Sequence, residues 1–133
     1  MTVRQLTRAA PEKAEQHRIR KLFESCGFTT YNLSQARASK QTPGLPDLWL
    51  VNPETGDALW WECKAAKPNG KPKPLRPEQS RFRDECHACL VHHGWGTLTE
   101  AMAWLEAHNY GKAHPAGFIR IPRHVLASQA LGL

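Results

Sequence analysis

Asp47 and Glu62 stand where a charged side chain is costly. Asp47 opens the run Leu48-Trp49-Leu50-Val51, and Glu62 follows Ala58-Leu59-Trp60-Trp61. Both runs read as buried strands, in which a carboxylate is tolerated only when it is paired or bound to a metal. Strand alternation puts Trp60, Glu62 and Lys64 on one face and Leu59, Trp61 and Cys63 on the other, so Glu62 and Lys64 point the same way, about 6–7 Å apart. Paired as a hairpin, the strands bring Asp47, Glu62 and Lys64 to one end. Two hard carboxylates and an ammonium suit Mg²⁺ or Mn²⁺, with the lysine polarising a water or offsetting charge that develops on a phosphate. The same residues also allow a plainer arrangement, a Glu62–Lys64 ion pair on an exposed strand face with Asp47 as a turn residue after Pro46.

These side chains need elements to hold them. From Pro11 to Gly27 the residues Ile19, Leu22, Phe23 and Cys26 recur at helical spacing, with Pro11 suited to the first turn and Gly27 to the stop. Phe28 to Leu33 reads as a strand, and Ser34 to Pro46 as a polar loop. Asp47 to Val51 and Ala58 to Lys64 form the hairpin, joined by turn residues from Asn52 to Asp57. Seven of the ten prolines lie between Pro43 and Pro77, and the stretch KPNGKPKP predicts a basic, extended loop. A second helix is expected from Pro77 to His93, ending at Gly94, with Gln79, Phe82, Cys86, Cys89 and His93 on one stripe. A strand from Trp95 to Thr97 then leads into a third helix, opened by the Thr97–Glu100 capping-box spacing and closed near Asn109 or Gly111. The order α-β-β-β-α-β-α predicts an α/β domain with a mixed sheet flanked by helices. Residues 1–110 hold all of it, and residues 111–133 read as a basic C-terminal extension without a clear period.

At 133 residues the chain has the length of one domain. Its 18 Lys+Arg against 12 Asp+Glu give +6, and the surplus is unevenly placed, with no acid between Glu24 and Asp47 or after Glu106. Such fields suit a polyanion, because phosphate neutralisation releases counterions. Arg37, Lys40, Lys67, Lys71, Lys73 and Arg76 flank the proposed site and are candidate contacts to DNA phosphates. No apolar run is long enough to cross a bilayer, and the first residues lack a signal-peptide stretch, so a cytoplasmic protein with free thiols and no membrane partner is expected. The Cys86-His87-Ala88-Cys89 run with His92 and His93 could be taken for a zinc site, but its cysteines fall within a helical pattern and share the stripe of Phe82, which favours core packing. The five tryptophans read as strand or helix core and are not assigned to base stacking.

Gly44-Leu45-Pro46-Asp47, then Glu62-Cys63-Lys64, then Gln79 at the start of a helix, resembles the PD-(D/E)XK nuclease superfamily and within it the VRR-NUC family, small nuclease domains of phages, bacteria and eukaryotic DNA-repair nucleases. The resemblance covers roughly Glu15 to Leu105. It implies a restriction-endonuclease-like core in which Asp47, Glu62 and the Cys63 main-chain carbonyl hold the divalent cation. It also implies that Lys64 activates the attacking water and that Gln79 supports the site. Glu15 would match the acid that the family carries on its first helix, where it lies four residues before Ile19 on the same stripe. Glu12, seven before Ile19, is its rival, and either could simply be an acid near a helix N-terminus.

The expected activity is metal-dependent endonucleolytic hydrolysis of DNA in a bacterial or phage-infected cell, without an organic cofactor. By family analogy the enzyme is a homodimer acting on branched DNA in the manner of a junction resolvase. The alternative is a non-catalytic nucleic-acid-binding module on the same fold.

Overall fold

The computed structural model describes the backbone of residues 3–33 and 42–110, with side chains from residue 12 onward. Arg37 and Lys40, and the whole 111–133 extension, lie outside the described residues. The element order is α1 (Val3–Ser25), β1 (Thr29–Asn32), β2 (Leu48–Asn52), β3 (Asp57–Cys63), α2 (Pro77–Ala88), β4 (His92–Gly96) and α3 (Leu98–Ala107). The four strands form one mixed sheet in the order β1-β2-β3-β4, antiparallel except for the parallel β3–β4 pair. This is the α/β arrangement expected from the sequence.

Strand alternation sorts the sheet into two faces. Leu48, Leu50, Leu59, Trp61 and Cys63 are buried with Ile19 and Phe23 of α1 and Ala101 and Leu105 of α3. Phe23 meets Trp61 at a ring separation of 5.6 Å. On the opposite face α2 lies over β3 and β4, where Phe82 packs edge-on against Trp60 at 5.5 Å and stands 6.0 Å from the His93 ring. The main-chain ladder extends beyond the strands, through Leu33 N–H to Asp47 O (2.7 Å) and Lys64 N–H to Gly96 O (3.0 Å). Asp47 and Lys64 are thereby anchored at one end of the sheet.

The helix ends correct three expected boundaries. α1 begins at Val3, so Pro11 lies inside it at the cost of one main-chain hydrogen bond. Its stop is as expected: Gly27 has φ +92° and Phe28 N–H reaches Phe23 O at 3.1 Å, closing a Schellman motif. α2 ends at Ala88, not His93, because Leu90 takes the left-handed position (φ +59°) while Val91 N–H bonds Cys86 O at 2.8 Å. The strand expected at Trp95–Thr97 accordingly begins at His92 and ends at Gly96. Gly94 therefore serves no helix: a Cβ there would fall 2.2 Å from the Trp61 ring, so the indole lies directly on the β4 backbone.

Leucine in this conformation carries steric strain, and its side chain is 91% exposed. Leu90→Gly is expected to raise stability by about 0.5–1 kcal/mol, read as a higher urea midpoint at unchanged slope. A lower midpoint would show that the leucine side chain itself contributes to the fold.

The basic stretch after β3 is not simply extended. Lys67 N–H bonds Lys71 O (2.7 Å), Gly70 N–H bonds Lys67 O (2.8 Å) and Lys73 N–H bonds Ala65 O (3.0 Å), folding the loop back on itself about Gly70 (φ +83°). The prolines at 68, 72 and 74 sit where no amide is asked to donate. One further close approach positions the site. Gly44 (φ +91°) lies against the backbone of α2, where a Cβ would come within 2.5 Å of Glu78 O.

Candidate active site

Asp47, Glu62, Lys64 and Gln79 come together at the end of the sheet. Asp47 Oδ2 accepts from Cys63 N–H (3.0 Å), and Glu62 Oε2 accepts from Asp47 N–H (3.1 Å). The two carboxylates are thus held on each other's strands. Gln79, the third residue of α2, joins the rest. Its Nε2 donates to Glu62 Oε1 (2.8 Å), and its Oε1 accepts from Lys64 Nζ (2.9 Å) and from Arg76 N–H (2.9 Å). The last bond is half of a capping box, satisfying an amide that the helix start leaves unpaired. A carboxylate on one side and two donors on the other leave the amide one orientation. Lys64 Nζ is 3.9 Å from Glu62 Oε1.

All four side chains border a cleft of about 540 Å³ whose other walls are Glu12, Lys13 and Gln16 of α1, Cys63, and Arg76 at the entrance to α2. Glu62, Lys64 and Gln79 are almost fully buried at its floor. Burial, and then the Asp47 charge beside it, push the Glu62 carboxyl up to about 8. Asp47 is also raised, again chiefly by burial, against the pull of the Cys63 amide and the Lys64 ammonium. Two buried acids that resist ionising together form a pair a divalent cation would relieve. Hard carboxylate oxygens are the ligand type that Mg²⁺ takes, keeping several of its waters. Among the described residues no group of three or more His, Cys, Asp or Glu could hold a metal ion, so such a site relies on two carboxylates and non-side-chain oxygens. The Cys86–Cys89 run is divided in the structure: Cys86 is buried, Cys89 is exposed, and His93 belongs to β4.

Glu15 is placed elsewhere. Its Oε1 accepts from Leu98 N–H, the first amide of α3, and its Oε2 pairs with Arg18. It caps a helix whose own capping box, Thr97 with Glu100, leaves that amide open. Glu12 faces the cleft instead, and its charge reaches Asp47. Glu12, Glu15 and Gln16 all continue the Ile19 stripe, so helical spacing could not tell which one meets the sheet end and which meets α3. Lys13 also lines the cleft and was missed, since a lysine beside the stripe has no signal separating it from a solvated one. Of the expected DNA contacts Arg76 borders the cleft, while Lys67, Lys71 and Lys73 lie exposed on the loop that leaves Lys64.

The mixed sheet and its flanking helices have a restriction-endonuclease-like fold. The chain is similar to a solved VRR_NUC domain, with a TM-score of 0.58 and 20% identity over 72% of this chain and 95% of that one. The resemblance read from the motif is thereby met in the fold. No protein-family model matches the chain, and no curated protein matches it. Among the described residues no helix is long and apolar enough to cross a membrane.

Proposed function

We propose that the protein is a metal-dependent endonuclease that hydrolyses phosphodiester bonds in DNA, acting on branched or structured substrates as a pair of identical subunits. The observation that carries this reading is the bracket Gln79 makes between Glu62 and Lys64, beside the Asp47 whose amide Glu62 accepts, so that two carboxylates and an ammonium border one cleft. Asp47, Glu62 and the Cys63 main-chain carbonyl would hold Mg²⁺ or Mn²⁺, which supplies positive charge to the scissile phosphate and makes water more acidic. Lys64 orients the attacking water and offsets charge gathering on the phosphate oxygens. Gln79 fixes the rotamers of both Glu62 and Lys64. Arg76 and Lys13, which both line the cleft, contact the adjoining phosphates, and Lys67, Lys71 and Lys73 extend that contact along the backbone. Residues 1–110 are the catalytic unit in this reading, and the basic 111–133 extension adds to docking.

Incubation with linear duplex, single-stranded and four-way-junction DNA, in Mg²⁺, Mn²⁺ or EDTA, tests the proposal. Cleavage that needs the cation supports it. Tight binding without cleavage on every substrate would replace it by a non-catalytic binding module. The α1 acid is settled separately. Glu12→Gln is expected to slow cleavage tenfold or more with the melting point unchanged, whereas Glu15→Ala costs about 1 kcal/mol of stability through the lost cap. The reverse pattern would return Glu15 to the site.

A further inference from the structure

Among the described residues, the face of the sheet that carries Glu62 and Lys64 is covered by α2 only over β3 and β4. From Trp60, whose ring meets Phe82 of α2, the strand register carries three aromatic residues outward across three strands: Tyr31 is opposite Trp49, and Trp49 is opposite Trp60. The two indoles lie 4.6 Å apart. Tyr31 is 52% exposed, and Leu33 and Val51 complete the walls of a concavity of about 460 Å³ among these rings. The row adjoins the acid pair. Trp49 is two residues along β2 from Asp47, and Trp60 is two residues along β3 from Glu62, a separation of about 6–7 Å on the same face.

We infer that this row is a stacking platform for unpaired nucleobases of the strand whose phosphate enters the cleft, with Tyr31 and Trp49 as the residues that receive them. The inference rests on the nuclease reading above and narrows its substrate to DNA that is unpaired beside the cut. A strand of nucleic acid alternates a charged phosphate with a flat apolar ring at a spacing comparable to that between the acid row and the aromatic row. Cations flank the one and aromatic faces make up the other, which is the pairing that single-strand recognition uses. An aliphatic protein partner would need neither the rings nor their continuity with the cleft.

Tyr31 can be changed with little risk to folding because its ring is exposed. A single-stranded oligonucleotide carrying 2-aminopurine, titrated with protein in EDTA, should lose fluorescence on binding as the base stacks. Tyr31→Ala should weaken binding about tenfold, the loss of one stacked base, and reduce the quench, while Tyr31→Phe retains both. The salt dependence of binding should be the same in all three proteins, since stacking releases no counterions. An unchanged quench and affinity in Tyr31→Ala overturns the platform, as does a shift from dimer to monomer, which would give the face to a second copy of the chain. Absence of metal-dependent cleavage by the wild-type protein overturns the nuclease reading instead, and the titration in EDTA reports on the platform either way.

Discussion

Asp47→Asn is expected to leave no measurable cleavage and, in the same protein, to raise the melting temperature of the metal-free fold at pH 8. Asp47 Oδ2 accepts the Cys63 amide, a bond the asparagine oxygen can keep. What the substitution removes is the negative charge that, after burial, does most to hold Glu62 near 8. A carboxyl whose folded pKa lies above its ordinary 4.5 contributes its full stability below about 4.5 and loses it as the pH rises through about 8. Wild-type protein in EDTA should therefore weaken between pH 5 and pH 8 more steeply than Asp47→Asn, and the two should converge near pH 5. Adding Mg²⁺ at pH 8 should raise the melting temperature of the wild type and not of the variant, because a cation bound only by the folded state stabilises it. Melting curves at both pH values, with and without the cation, decide the matter. A variant less stable than wild type at pH 8 in EDTA, or an equal response of both to Mg²⁺, would show that the two acids are not a cation-binding pair.

Lys64→Ala should reduce single-turnover cleavage by at least a hundredfold while DNA affinity stays within a few-fold. The ammonium is held by Gln79 Oε1 at 2.9 Å on the floor of the cleft, and Lys64 as a whole is 9% exposed. A group placed there meets the reacting phosphate and little else of the duplex, so its worth lies in the transition state rather than in docking. Arg76→Ala is the contrast: at the mouth of the cleft it should weaken binding and lower the salt slope by about one. Rates from rapid-mixing experiments and affinities from anisotropy separate the two. Cleavage at the wild-type rate in Lys64→Ala would place the chemistry elsewhere.

What the sequence disclosed followed from local rules. Alternation in β3 put Glu62 beside Lys64, and the hairpin brought Asp47 to the same end. Gln79 was placed on the inward stripe of α2, but its bracket between Glu62 and Lys64 is a tertiary fact. The start of α1 is misplaced because Pro11 suits a first turn, whereas the end of α2 and the start of β4 share a cause in glycine. Gly94 was read as a helix stop because glycine is the usual residue there, yet α2 stops at a leucine that adopts the glycine-like conformation, and Gly94 exists to admit the Trp61 ring. Glu15 and Glu12 were separable only by knowing where α3 begins in space. The aromatic row was hidden because each ring, taken within its own strand, looks like core. Only the register across β1, β2 and β3 shows that three of them share one face, which the described residues cover incompletely.

The contact of Gly44 with the Glu78 backbone has a consequence for how the protein can be observed. Asp47 reaches its position through a segment that is pressed against the first turn of α2, and that turn carries Gln79. The acid pair and its amide bracket, far apart along the chain, are therefore complete only when the helix is seated on the sheet. Any ligand selective for the finished cleft binds only that fraction of molecules, so its apparent affinity is also a measure of how often α2 is in place. A titration carried out for enzymology then doubles as a thermometer of tertiary assembly.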